Sequence, residues 1–416
     1  MTAFPTNPDV VIIGAGTAGL AAADALAKSG IETVVLEAAG HIGGRCYSDT
    51  SVQNVPFDMG GSWLHSADIN PLARLAAERG VTLHKKPWAD CSWVISDGQA
   101  LSADQRDDYN QYVPNMWRSV RNTGALETDN APADVMATSK WKDTAKLLIA
   151  PMQGGDFDVT SAKDIAQYDH TDEDWLVQGG LGAFVTGLFR DVPVHLNCPV
   201  TKIDTTGTLV RVTTAKGDLV AKHVIITVST GVLAAESITF MPPLPDRKLA
   251  AIEQLPNGLL NKIGLDFDPA WTQAHQGCMA DYHPGGEEFC TTLFGFYDSN
   301  FAVGFVAGRF ADELELQGPG AATDFCLQGL RSIFGGDIVK VIRRTNETRW
   351  RATPNALGAY SYAKTGGSGA RHVLGEQIDD KLFFAGEATS VTSYATVHGA
   401  YLTGLDVAHQ VADLAD

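Results

Sequence analysis

The sequence predicts an α/β fold in which one parallel sheet is interleaved along the chain with a second, α+β domain, and three observations predict it. The chain begins with a β-α-β pattern whose first turn is rich in glycine. Short apolar runs of the kind found in buried parallel strands return near residues 194, 224 and 382, so the sheet is filled from both ends and the middle. The intervening stretches have a different, mixed pattern, and no Pro/Gly/Ser-rich linker separates them. Residues 1–80, 190–262 and 372–416 are therefore assigned to the first domain, and 81–189 and 263–371 to the second.

Bulk properties narrow the function classes. Hydrophobic residues make up 44% of the 416, enough for a packed core rather than a disordered chain. Lys and Arg number 31 against 49 Asp and Glu, a net charge of −18, which argues against nucleic acid as a partner because phosphate contacts need a basic footprint. An acidic surface can draw in a cation, although solubility alone also accounts for it. No apolar run reaches the ~18 residues of a membrane helix. The start, Met1-Thr2-Ala3-Phe4-Pro5, lacks the basic and then apolar segments of a secretory signal. Cys46, Cys91, Cys198, Cys278, Cys290 and Cys326 are scattered, without a CxxC pair, so neither a metal site nor a disulfide framework is expected, and a reduced, cytoplasmic setting fits. Oligomeric state stays open, a homodimer included.

The elements follow in order. Asp9-Val10-Val11-Ile12-Ile13 is a buried strand; Gly14-Ala15-Gly16-Thr17-Ala18-Gly19 opens an Ala/Leu-rich helix to about Ser29; Thr33-Val34-Val35-Leu36 is a second strand ending at Glu37. Each piece has a mechanical task in a Rossmann-type dinucleotide site. Gly14 permits the tight turn, Gly16 lets the backbone approach a pyrophosphate, and Gly19 lets helix pack on strand. The helix N-terminus offers unpaired N–H groups to phosphate, and Glu37 can accept from a ribose. Asn70 to about Val81 has helical spacing, and residues 103–178 are polar and helix-like with several tryptophans. Gln178-Gly179-Gly180-Leu181 opens another helix, Val194 to Ile203 returns as strands, and Val210 to Val220 alternates like a hairpin. Leu260-Asn261-Lys262-Ile263-Gly264-Leu265 is an apolar strand carrying a lysine that is costly to bury without a partner, unless it faces outward.

Ile42-Gly43-Gly44-Arg45, Phe57-Asp58-Met59-Gly60-Gly61-Ser62-Trp63, Arg349-Trp350-Arg351 with Gly358-Ala359-Tyr360, Ala385-Gly386-Glu387 and Ala395-Thr396-Val397-His398-Gly399-Ala400 together resemble the flavin-dependent amine oxidases, in particular the polyamine oxidase and lysine-specific histone demethylase branch. The resemblance covers about the first 80 residues and the stretch from about 178 to the end, with gaps near 270–340. It implies the interleaved amine oxidase fold, also seen in p-hydroxybenzoate hydroxylase-like proteins, and FAD as cofactor. By resemblance Gly44, Arg45, Gly61, Ser62 and Trp63 lie under the FAD phosphates and flavin ring. Arg45 is then a charged partner of the cofactor, a surface salt bridge being the plainer reading. Val200 matches the residue that pairs its backbone with the adenine, Trp350 the tryptophan beside the flavin, and Gly386 and Glu387 the segment near the ribityl–phosphate chain. Val397 begins the last helix, whose N-terminus is expected to point at the flavin pyrimidine ring.

The catalytic residues implied by the resemblance are Lys262, Tyr360, Thr396 and His65. Lys262 matches a lysine that reaches the flavin N5 region through water. Tyr360 matches one wall of an aromatic cage, which attracts a cation on entry and orients it; a core aromatic is its bland reading. Thr396 stands where most amine oxidases carry the other cage tyrosine, as in the demethylase branch, and Tyr394 is a candidate substitute. His65 matches an active-site histidine of polyamine oxidases, against a purely structural role. Ala359 stands where monoamine oxidases carry the cysteine that bonds flavin, so the FAD is expected to be non-covalent. The implied reaction is hydride transfer from the amine α-carbon to flavin, hydrolysis of the imine to a carbonyl compound, and reoxidation by dioxygen, with hydrogen peroxide formed, or by a protein acceptor. The expected substrate is a small amine, a polyamine or another primary or secondary amine. A flavin desaturase or porphyrinogen-type oxidase, and a flavin-bound non-catalytic interaction protein, are the alternatives.

Overall fold

The computed structural model describes residues 8–51, 55–85, 91–123 and 127–414. Its first layer is a parallel sheet ordered Val194–His195, Thr33–Leu36, Val10–Ile13, His223–Ile226, Leu382–Phe384. Strands from the start, middle and end of the chain are thus neighbours, as the recurring apolar runs predicted. Both faces are covered, which explains why these strands read as unbroken apolar runs. Val10 and Ile12 face the helices Thr17–Lys28 and Val397–Asp413, while Val11 and Ile13 face a four-stranded sheet. That smaller sheet runs Gly217–Ala221, Val210–Thr214, Val200–Asp204, Thr239–Met241 and contains the predicted hairpin. The two helices approach closely at Gly404, where a Cβ would sit 2.2 Å from the Ala18 carbonyl.

The second layer is a seven-stranded mixed sheet, ordered Ile342–Glu347, Leu260–Phe267, Phe301–Ala307, Glu288–Phe296, Cys278–Gly285, Cys91–Ser96, Gln99–Ala100. One face packs on the helices Gly308–Gln317 and Ala321–Phe334 through Ile263, Leu265, Phe325 and Leu330. The other face looks toward the first layer and carries Lys262 and Phe305. The helix Ala103–Asn122 begins with a capping box formed by Ser102 and Gln105 and packs beside this sheet through Tyr109, Tyr112 and Met116.

Two expectations are corrected here. Cys91 and Cys278 are disulfide-bonded on adjacent parallel strands, 187 residues apart in sequence, so their spacing held no signal of the bond. Within the stretch read as helix-like, Trp175–Val177 is a strand between Trp63–Leu64 and Leu83–His84. Three residues are too few to show a period of two. The helix expected over 70–81 spans Pro71–Glu78, with the Asn70 side chain accepting from the Leu72 N–H at 2.9 Å as its cap. Among the described residues no helix is long and apolar enough to cross a membrane.

Candidate active site

A cavity of about 1300 Å³ runs between the two layers. Of the site residues predicted from sequence, only Gly19 stands off its wall. Gly19 works from behind: a Cβ there would lie 2.0 Å from the Gly14 carbonyl, so glycine is what allows the first helix to start so close to the strand. Gly14 itself has φ +103°, a conformation that disfavours side chains. Gly16 caps the helix without any side-chain hydrogen bond, and a Cβ on it would meet nothing within 4 Å. The helix N-terminus is therefore bare and faces open cavity, as a pyrophosphate requires. Glu37 is buried at the end of the second strand, its two oxygens each accepting a backbone N–H, from Ala15 and Ala39, at 2.7 Å. Each oxygen keeps accepting capacity for a ribose hydroxyl. Val200 lines the same cavity from the smaller sheet. These residues fit the dinucleotide half of FAD.

Arg45 lines the cavity and pairs there with Glu387. Its Nη1 donates to Glu387 Oε1 at 2.8 Å and to the Ala359 carbonyl at 3.0 Å. The pair is not a surface bridge, because Glu387 is buried. Glu387 also accepts from the Ser361 N–H and hydroxyl and from the Ala395 N–H, so one carboxylate ties four segments together. Burial opposes its charge, but Arg45, Arg371 and the Ser361 hydroxyl outweigh that and hold the carboxyl below its usual range. Gly386, with φ +140°, turns the chain into this acid.

At the other end Lys262 is buried, and its Nζ donates to the Asp58 carbonyl at 3.0 Å, to the Gly60 carbonyl and to Ser62 Oγ at 2.5 Å. Three acceptors resolve the cost of burying this cation. Burial pulls its pKa down to about 8, against the opposing pull of Asp58. Gly61 admits no side chain, since a Cβ would sit 2.4 Å from Val397 Cγ2, and this closeness sets the Gly60-Gly61-Ser62 loop against the last helix. Gly44, at φ +58°, brings its own loop against Gly16. The Trp63 ring lies 5.4 Å from Lys262 Nζ, and Trp350 donates its Nε1–H to the Met59 carbonyl at 3.2 Å.

Tyr360 donates its hydroxyl to the Pro151 carbonyl at 2.7 Å, and its ring lies over Gly154. Burial keeps the phenol neutral. Thr396 does not complete a cage. Its hydroxyl donates to the Ser393 carbonyl at 2.6 Å and accepts from the Gly399 N–H at 3.0 Å, so it is the cap of the last helix. Tyr394, the candidate substitute, lines the cavity, donates its hydroxyl to Gln153 Oε1 at 2.8 Å and meets Tyr168 edge to face. His65 pairs through Nδ1 with Asp174 Oδ1 at 2.8 Å, both being about a third exposed.

Sequence reasoning passed over several supports. Arg371 is fully buried and binds buried Asp164 through Nε and Nη2, at 2.9–3.1 Å, under the Tyr394 ring. Asp58 accepts from the Leu181 and Gly182 N–H groups and the Tyr297 hydroxyl while its carbonyl holds Lys262. Asn261 accepts from the Trp350 N–H at 3.1 Å and donates to Glu315 at 2.7 Å, which positions the segment after Thr348. Asn261 did leave a trace, as a second polar residue in an otherwise apolar strand.

Comparison with known proteins gives a family. Residues 158–412 match the model of the flavin containing amine oxidoreductases, and residues 12–78 that of an NAD(P)-binding Rossmann-like domain. Lysine-specific histone demethylase 1 homolog 2 of Arabidopsis thaliana is 30% identical over 99% of this chain, which spans 59% of that protein's length. Polyamine oxidase 3 of Oryza sativa subsp. japonica is 31% identical over 97% of this chain and 89% of its own. A putrescine oxidase redesigned in its cofactor binding shares the fold, with a TM-score of 0.78 at 19% identity, over 99% of this chain and 100% of that one.

Proposed function

This chain belongs to the flavin containing amine oxidoreductase family, and we propose that it oxidises a small primary or secondary amine, a polyamine being the favoured class, at the Lys262–Tyr360 end of its cavity. The observation that carries this reading is one continuous cavity that joins a bare helix N-terminus at Gly16 to a buried lysine and a fixed tyrosine. FAD held there without a covalent bond supplies the two-electron acceptor for the carbon–hydrogen bond beside nitrogen.

The protein's own residues bind and orient. Tyr360 and Tyr394 have their hydroxyls tied down, so their rings are fixed walls that attract a cation on entry. The same apolar walls disfavour charge on an enclosed amine, which promotes loss of its proton before reaction. They also align the carbon–hydrogen bond, where positioning is worth most. Lys262 Nζ gives its three protons to Asp58, Gly60 and Ser62, and the Ser62 hydroxyl proton is thereby left to orient a water on the cavity side. The capped last helix turns its positive end to the cavity wall at Thr396 and Val397 and stabilises negative charge there. The net reaction is amine, water and dioxygen going to a carbonyl compound, a smaller amine or ammonia, and hydrogen peroxide.

The test is an anaerobic screen of the purified holoprotein against about twenty amines, followed by peroxide detection in air. Bleaching of the flavin absorbance by amines, with peroxide on aeration, is expected. Bleaching by isoprenoids or porphyrinogens instead would move the protein to the desaturase class. No bleaching by any of them would make it a flavin-bound interaction protein.

A further inference from the structure

The seven-stranded sheet sets four side chains in one cross-strand row. Lys262 is opposite Phe305, Phe305 opposite Thr291, and Thr291 opposite Asp281. Directly opposed residues share a face of the sheet, and here it is the face toward the cavity: Lys262, Phe305 and Thr291 all line it. Asp281 stands behind Thr291, 3% exposed. The Thr291 hydroxyl donates to Asp281 Oδ1, and among the described residues it is the one hydrogen-bond donor that this carboxylate has.

A hydroxyl has one proton to give. Thr291 spends it on Asp281, so toward the cavity its oxygen can only accept. A buried carboxylate with a single donor is also short of compensation and favours a positive charge nearby. Burial accordingly lifts the Asp281 carboxyl to about 6, and a cation beside it would draw it back down. Strands lie about 4.8 Å apart, so Thr291 is about 10 Å along the cavity floor from the strand of Lys262. Phe305, between them, offers an apolar surface.

We propose that Thr291, oriented by Asp281, accepts a hydrogen bond from a second, protonated nitrogen of the substrate, and so selects amines that carry a cation remote from the carbon being oxidised. The proposal rests on the amine-oxidising reading above and names its substrate class: a linear polyamine, its alkyl chain lying over Phe305. Thr291 is a specificity residue and Asp281 a positioning residue that acts through it. The His65–Asp174 pair is a weaker rival for this role, since both partners are about a third exposed and already bonded to each other.

Anaerobic calorimetric titration of the holoprotein, with its flavin reduced beforehand, with spermidine and with butylamine reads binding independently of turnover. Spermidine is expected to bind more tightly than butylamine. Thr291→Val is expected to weaken spermidine by about tenfold or more, the loss of a charge-assisted hydrogen bond, and to leave butylamine unchanged. Thr291→Ser is expected to restore spermidine binding, and Asp281→Asn, where it folds, to weaken it in the same selective way. Equal binding of the two amines by the wild type, or an equal effect of Thr291→Val on both, would overturn the proposal. Selective loss of spermidine binding in a protein whose flavin no amine bleaches would uphold the anchor and overturn the amine-oxidising reading alone.

Discussion

Lys262 shows how far a single residue carries chemistry. Its strand is mostly apolar, its side chain is buried, and three acceptors from the 58–62 loop hold its Nζ. With a pKa near 8, its charge is present at neutral pH and lost as pH rises through that value. Amine deprotonation works in the opposite direction, raising the rate of flavin reduction with pH. The two half-reactions are therefore expected to diverge: anaerobic reduction speeds up between pH 6 and 9, while return of electrons to dioxygen slows above about pH 8. Lys262→Met is expected to keep FAD bound, to slow the oxidative half at least about tenfold, and to make it independent of pH. Stopped-flow measurement of each half-reaction checks this, and full activity in the variant would remove Lys262 from the mechanism. Other residues were legible or not for reasons of distance. Gly14, Gly16, Gly19 and Glu37 act on neighbours a few residues away or through a fixed β-α-β spacing, so their tasks can be read from sequence. His65 and its partner Asp174 are separated by 109 residues, and Arg371 and Asp164 by 207, and no local pattern announces such pairs.

At the scale of elements, the last helix links packing to chemistry. Its apolar face, Val407, Ala408 and Val411, packs on the first helix, and its N-terminus, capped by Thr396, meets the cavity. Thr396, which by resemblance stands at the place of a cage tyrosine, caps this helix with its hydroxyl. Two demands on one position cannot be separated by residue type, and the hydrogen bonds decide between them. His398, in the first turn, is buried, and burial followed by the neighbouring His65 lowers its pKa to about 4. It is thus neutral in the folded protein down to about pH 4, whereas in the unfolded chain it takes up a proton near 6.5. Between these values the unfolded state binds more protons, so stability falls as pH drops from 6.5 toward 4, by roughly 3 kcal/mol from this group. The positive end of the helix adds to the cost of charging it. Denaturant titrations at pH 7 and pH 4.5 are expected to show most of this loss in the wild type and a markedly smaller one in His398→Gln. An identical loss in both proteins would place the acid sensitivity elsewhere.

At the scale of the whole molecule, the interleaved chain makes the cavity a joint between layers. Gly16 and Glu37 come from the parallel sheet, Val200 from the smaller sheet, and Lys262 and Thr291 from the mixed sheet. The parallel sheet was legible because both of its faces are buried, whereas the mixed sheet buries one face in core and turns the other to a cavity, so its apolar pattern is interrupted where it matters. FAD bound in such a cavity would meet residues of every layer and would stabilise the folded state by mass action. Free FAD at a hundred times its dissociation constant is expected to add about 2.7 kcal/mol. Because the chain crosses between layers several times, neither layer is a continuous segment that can unfold alone, and the gain is expected to reach both together. Stripping the flavin and reloading it should therefore shift one cooperative transition, seen at the same temperature by tryptophan fluorescence and by far-ultraviolet circular dichroism. Two separated transitions, with only one of them moved by FAD, would show that the layers are energetically independent and that the cavity is not the joint proposed.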